Sequence, residues 1–496
     1  MSTVRRSGRG WGLALAALAP LAFGSIAGAQ TPAAAPPVLP IPPAAAETVQ
    51  FPTLSFAQAA TALAVLRAAD AHGLKPQAYL PDGVSDPAKL TPAQLAQLTD
   101  GLARYARDVR IGRLAPEDFP SLWQVRPQAW DPKPELAQAL AEDRLQAWLD
   151  GLPPRYSGYL GLKRGLAHYR DLAAAGGWAE IPAGPTLELG STGPRVAALR
   201  ARLAVEDPEV VVAGETFDEE LQAAVQRAQR RFGLAPDGVV GNNTLAFLNQ
   251  PVGQRILQII ANMERWRWLP PTMPSTRVQV NSGAAIVSLF QDDRPVMSMK
   301  AVSGKKGDET PMLVSEIHSV VINPPWNVPT SIANEELWPK ERANPGYLAN
   351  NGYRVIPVDG GQPRLQQASG DTSALGRFKF DFDNPFAVYL HDTPAKAGFD
   401  RYARQASHGC VRIEKPRRLA EALLAGNPEW TPEAIDAQLL GDKTVRARLP
   451  QKVPVYILYW TAFAGADGQM HFRADPYGWD RELLQRTGVL ASGTKA

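Results

Sequence analysis

The residues best suited to chemistry gather in Ser407-His408-Gly409-Cys410-Val411-Arg412, which holds the single cysteine of this 496-residue chain. A cysteine attacks as its thiolate, and a free thiol titrates near about 8.5, so a nucleophilic role calls for a base or a positive setting beside it. Two histidines qualify. His391 follows the β-prone run Phe386–Leu390 and opens His391-Asp392-Thr393-Pro394, so a strand end could present it to a cleft, while His408 lies two residues before Cys410. Gly409 lacks a Cβ, which permits a sharp turn and lets the N–H groups of His408 to Cys410 approach a developing oxyanion. Arg412 places a permanent cation two residues past the sulfur, where it could favour the thiolate, pair with a substrate carboxylate or pair with an acid of the chain itself. Ser407 reads equally well as a turn former.

Metal binding competes for the same atoms, since His391, His408 and Cys410 could supply three zinc ligands with water in the fourth place. The chain has no second cysteine and no His-Glu-x-x-His pair, so neither a metal nor another cofactor is expected. Arg5, Arg6 and Arg9, the apolar run Trp11–Phe23 and Ala27-Gly28-Ala29 read as a signal peptide over residues 1–29, which implies export to the periplasm and no membrane span after its removal. A lone cysteine in an oxidising compartment cannot form an internal disulfide, which leaves an intermolecular bridge, an inert buried thiol or a working thiolate, and its neighbours favour an ionised sulfur. The formal charge is +3, and removing three arginines and no acid with the signal leaves 3 − 3 = 0. That gives nucleic-acid binding no electrostatic support.

These side chains need a scaffold to position them, and the chain reads as multidomain α+β. Residues 30–50 form an Ala/Pro-rich linker. Residues 51–180 form a helical scaffold domain. In it Ser55 caps one helix with Gly73 at its stop, and Thr91 caps another whose Leu95, Leu98, Leu102, Tyr105 and Val109 make one buried stripe. Residues 187–250 contain short helices, one opened by Gly193-Pro194 and one following Phe217-Asp218. From 276 to 462 strand signals dominate: Val278–Val280, Ala285–Phe290, Val296–Val302, Val320–Asn323, Phe386–Leu390 and Val453–Tyr459, with Asp292-Asp293 as a hairpin turn. Residues 324–380, rich in Pro, Gly, Asn and Trp, are too long for a plain connection and read as an inserted cover or subdomain. Residues 463–496 form a C-terminal extension.

The motifs carry two resemblances. Leu189-Gly190-Ser191-Thr192-Gly193-Pro194-Arg195-Val196 and Arg231-Phe232-Gly233-Leu234-Ala235-Pro236-Asp237-Gly238-Val239-Val240-Gly241 resemble the small three-helix peptidoglycan-binding module of cell-wall enzymes, although Ala228 stands where that module often has an aromatic. His391-Asp392-Thr393-Pro394, then Phe399, Arg404 and Ser407-His408-Gly409-Cys410-Val411-Arg412, resemble the signature of L,D-transpeptidases with a YkuD-type catalytic domain. Glu264-Arg265-Trp266-Arg267-Trp268-Leu269-Pro270 and Asn323-Pro324-Pro325-Trp326-Asn327-Val328-Pro329 narrow this to the large YcbB-like type. Within that resemblance Asn281-Ser282-Gly283-Ala284-Ala285 is a bland stretch of strand.

The resemblance implies Cys410 as nucleophile, His391 as general base and acid, and the backbone carbonyl of Asp392 as the group that orients it. It implies that Ser407, His408, Gly409 and Arg412 shape the oxyanion and substrate pocket, and that Trp326 and Asn327 belong to a capping subdomain. It also implies peptidoglycan tetrapeptide stems as partners, a thioester formed with loss of D-alanine, a cross-link between two diaminopimelates, and acylation by carbapenems. Two alternatives stay open: the same acyl-enzyme with water as acceptor, giving an L,D-carboxypeptidase or other hydrolase, and a non-catalytic wall-binding scaffold.

Overall fold

A computed structural model describes residues 51–84 and 86–491, so the expected signal peptide and linker lie outside the described residues. At Ser55 the side chain accepts from Gln58 N while Gln58 Oε1 accepts from Ser55 N, and this capping box starts α1, Phe56–Arg67. Thr91 and Gln94 repeat the device for α2, Pro92–Ile111, which buries Leu98, Leu102, Tyr105 and Val109. With α3 (Lys133–Ala141) and α4 (Leu145–Asp150) these helices enclose a core that includes Leu63, Leu66, Leu136 and Leu149. The next helix, α5 (Ser157–Ala174), packs elsewhere, against a second core shared with the rest of the chain.

The module helices are α6 (Pro194–Ala204), α7 (Glu219–Phe232) and α8 (Asn242–Leu248). Buried Gln229 fixes the turn between the last two, donating to Asp237 Oδ1 at 2.7 Å and accepting from Gly238 N at 2.9 Å. Ala228 is buried at the position where the similar modules often carry an aromatic. Nearby, the guanidinium of buried Arg255 lies 5.0 Å from the Phe232 ring and 4.4 Å from that of Phe472.

Arg255 belongs to α9, Val252–Arg267, which leads from the module towards the β domain. Its last turn carries the Glu264–Pro270 motif inward. Glu264 and Arg267 are both sealed from solvent 2.7 Å apart, and Arg113 lies 3.4 Å from the same carboxylate. The chain passes this carboxylate at Gly112, where φ is +90° and a Cβ would stand 2.6 Å from Glu264 Oε1, so only glycine fits. Replacing Glu264 by alanine strands Arg267 without its partner and should cost about 3–5 kcal/mol. Urea unfolding of the purified chain measures this; an unchanged midpoint would contradict it.

The β domain begins with β1 (Arg277–Asn281), β2 (Ile286–Gln291), β3 (Arg294–Gly304) and β4 (Leu313–Ile322). Asp292 and Asp293 sit at φ +49° and +59° in the β2–β3 hairpin turn, as their sequence implies. Residues 282–285 correct one expectation: they form a turn, because Asn281 Oδ1 accepts from Ala284 N and Trp460 N, and Ala285 takes φ +52°. β4 is longer than Val320–Asn323 because its first half alternates buried with open positions and lacks a continuous apolar run.

At Asn323, φ +51°, the chain leaves the sheet for the insertion. This comprises β5 (Trp326–Asn327), α10 (Thr330–Ile332), a π-helical turn Ala333–Leu337, α11 (Trp338–Ala343), α12 (Tyr347–Asn350), β6 (Tyr353–Ile356) and β7 (Arg364–Gln367). Its three strands pair in the order β5-β7-β6 over a small core of Val328, Ala333, Leu337, Leu348 and Leu365. It ends earlier than the expected 380. Phe378–Phe382 forms β8 and pairs with β4, so those aromatics belong to the main sheet.

Next come β9 (Leu390–His391), β10 (Gln405–Ser407), β11 (Val411–Ile413), α13 (Pro416–Leu424), α14 (Pro432–Leu439) and β12 (Val445–Leu458). The expected strand Phe386–Leu390 is mostly a turn. Pro385 offers no N–H, and Asn384 Oδ1 captures the N–H groups of Phe386 and Val388, which turns the chain away from the ladder. The main sheet runs β10-β3-β11-β9-β8-β4-β12-β1-β2, and β2 also pairs with β3, so it closes on itself around Val280, Leu289, Val320, Phe380, Leu390 and Val411. The last elements, β13 (Ala462–Ala464), β14 (Met470–Phe472) and α15 (Trp479–Arg486), pack on α5 and α9.

Candidate active site

Strand register decides which side chains meet. β9 and β11 run parallel with Leu390 opposite Val411 and His391 opposite Arg412. Leu390 and Val411 are core residues, so by alternation His391 and Arg412 stand side by side on the outer face. Lys379 of β8 lies opposite His391 on its other side, which sets three basic side chains in one row. Tyr389 and Cys410, each two residues before a member of that row, flank it; Val411 N donates to Tyr389 O at 3.0 Å.

His391 is buried, and its Nδ1 lies 2.5 Å from the carbonyl oxygen of Asp392. A carbonyl can only accept, so Nδ1 carries the proton and Nε2 keeps its lone pair. Burial, reinforced by the charges of Arg412 and Lys379, pulls the imidazole pKa down to about 3, so the ring is neutral. The carboxylate of Asp392 is turned to another task. It accepts from Arg377 N and Thr393 N at 2.8 and 2.7 Å and meets Lys396 Nζ at 2.5 Å, which fixes the loop whose carbonyl holds the histidine.

Cys410 is half-buried, its sulfur 3.9 Å from Ala387 O. Burial pushes its pKa up, against smaller opposing contributions from hydrogen bonding to Tyr389 and the charges of Lys379 and Arg412. The resting group is therefore a thiol, which corrects the expectation of a standing thiolate. Alkylation by iodoacetamide should keep accelerating through about pH 9, and a plateau below about pH 8 would contradict this.

The loop bearing the sulfur is braced from several sides. Gly409 has φ +102°, and Thr310, fully buried, donates to Gly409 O at 2.7 Å while accepting from Gly304 N at 2.8 Å. Tyr477, beyond the main sheet, donates to Gly304 O at 2.7 Å. Ser407 is buried, with its hydroxyl on Cys410 O at 2.6 Å, so it shapes the turn and does not face a ligand. Phe399 is buried, and Arg404 donates to Ala284 O at 3.1 Å.

Arg412 forms no salt bridge among the described residues, and its buried Nε lacks a partner. His408 Nε2 meets Glu336 Oε1 of the insertion at 2.8 Å. Trp326 also reaches the site by hydrogen bonding to Tyr389, whereas Asn327 stays within the insertion's own sheet and accepts from Gln366. Sequence reasoning missed Thr310, Tyr389, Lys379, Glu336 and Tyr477. Tyr389 could have been found from the period-two spacing around His391; Lys379 meets it only through strand pairing, and the others come together only through tertiary packing. No group of three His, Cys, Asp or Glu side chains is gathered as a metal site among the described residues.

Comparison with known proteins matches residues 275–442 to the L,D-transpeptidase catalytic domain, 54–166 to a "Scaffold domain" and 192–248 to a "Putative peptidoglycan binding domain". A curated "Putative L,D-transpeptidase" of Haemophilus influenzae is 33% identical over 242 residues, 46% of this chain and 48% of its own, so the match spans about half the length of that relative. Solved L,D-transpeptidase structures from Stackebrandtia nassauensis and Xylanimonas cellulosilytica align over 56% of this chain and 97% and 100% of theirs, at 14% and 19% identity. Their TM-scores of 0.24 and 0.18 are too low to carry weight. The chain thus joins an L,D-transpeptidase catalytic domain to a scaffold domain and a peptidoglycan-binding domain.

Proposed function

We propose that this protein is an exported L,D-transpeptidase that links two diaminopimelate residues of peptidoglycan through a thioester on Cys410, releasing D-alanine from a tetrapeptide donor. The observation that carries this reading is the Asp392 carbonyl on His391 Nδ1, which leaves a neutral imidazole nitrogen free on the face where the row of basic side chains meets the cysteine loop. The thiol proton passes to Nε2 as the sulfur attacks the donor carbonyl. The loop amides around Gly409 hold the oxyanion, and Arg412, which forms no salt bridge among the described residues, binds a donor carboxylate.

On collapse the carbon–nitrogen bond breaks, His391 gives its proton to the departing D-alanine amine, and the acyl group stays on sulfur. An amine of a second stem then takes the acyl group. One amide replaces another, so no nucleotide is consumed. The module at 187–250 would hold the polymer, the signal at 1–29 would deliver the chain to the periplasm, and carbapenems would acylate the same sulfur. Mass spectrometry of products from purified tetrapeptide stems tests the reading. Cross-linked dimer supports it, free tripeptide alone would indicate water as acceptor, and unchanged substrate would overturn it.

A further inference from the structure

Cations outnumber free carboxylates on the face around Cys410. Asp381 is engaged by Lys379 at 2.8 Å and by Arg446, and Asp392 is held by two backbone N–H groups and Lys396. Glu336 is paired as well, but it is more open than Asp381 and Asp392, whose side chains are 12% and 11% exposed. Its Oε1 stands 2.8 Å from His408 Nε2, two residues before the nucleophile, its Oε2 is 3.7 Å from Lys340, and the side chain remains 38% exposed.

It rises from the π-helical turn Ala333–Leu337, a geometry rare in proteins and frequent at functional sites. One extra residue in a turn rotates the rest of the helix by about 100°, so this turn determines whether Glu335 or Glu336 faces the loop. Glu335 is exposed.

We propose that Glu336 selects the acceptor: its carboxylate docks the ammonium group of an incoming primary amine beside the thioester, in preference to water. The inference rests on Cys410 forming that thioester. A primary amine is protonated at neutral pH, so its capture near the cations of Lys379 and Arg412 needs a negative group, whereas water needs none. The docked ammonium first loses a proton to water. The neutral amine then attacks the thioester carbon, a carbon–nitrogen bond forms and the carbon–sulfur bond breaks. Of the two remaining protons, one passes through His391 to the departing sulfur and one stays as the amide N–H.

The test uses the full chain, purified tetrapeptide as donor and a graded concentration of tetrapeptide or glycyl-amide amine as acceptor. Adduct formation on Cys410 and the ratio of aminolysis to hydrolysis are followed separately by mass spectrometry. Glu336→Gln should raise the acceptor KM and lower the ratio by about tenfold or more, while adduct formation changes far less. Glu336→Asp should recover part of the ratio, and Glu335→Gln should match wild type. An unchanged ratio in Glu336→Gln would overturn the inference. So would an equal loss of adduct formation and aminolysis, since that marks Glu336 as a prop for His408. Failure of the wild type to form any adduct would instead bring down the nucleophile assignment itself, and this inference with it.

Discussion

On the proposed mechanism Cys410→Ala should abolish D-alanine release and dimer formation together, by a factor of about 10⁴ or more, while the fold persists. Both losses are expected because in the proposed reaction one sulfur would serve both half-reactions, accepting the acyl group from the donor and yielding it to the acceptor. The substitution removes a half-buried thiol whose contact to Ala387 O is long, so thermal unfolding should shift little. Product analysis beside a melting curve separates the outcomes. Turnover by the alanine variant would remove the sulfur from the reaction, and an unfolded variant would contradict the light packing around it.

His391→Gln should lower kcat/KM by about 10²–10⁴, the usual contribution of a general base. The same variant reports on proton linkage. The folded imidazole titrates at about 3, below its unfolded value of about 6.5, so between these limits the unfolded chain binds a proton that the native chain refuses. That contribution to stability is present above about pH 6.5 and is lost as the pH falls towards about 3. Wild type should therefore lose stability relative to His391→Gln on acidification over that window, as seen in paired denaturant titrations. Activity should not fall through imidazole protonation until the pH is well below about 6. An acid limb centred near about 6.5 would mean the ring is more solvated than its burial implies.

The parts of this site that the sequence made legible are those governed by local rules. Ser55 and Thr91 announced their helices because a cap needs only three residues, and Asp292-Asp293 announced its hairpin for a similar reason. The turn at Gly409 was legible because it needs only its immediate neighbours in the motif. Illegible were the features set by distant partners. Phe386–Leu390 looks like a strand until Asn384 takes its amides, and residues 378–380 fall inside the expected insertion because their sheet partner, β4, lies far earlier in the chain. The thiol's raised pKa could not be read from its neighbours Gly409 and Arg412 because burial, the dominant cause, belongs to the assembled fold.

The hydroxyl of Tyr477 on Gly304, together with Thr310 on Gly409, ties the turn that carries Cys410 to a residue near the far end of the described chain. A chain clipped before that tyrosine would keep Cys410 and His391 yet lose the outer tether of this turn, leaving it slack.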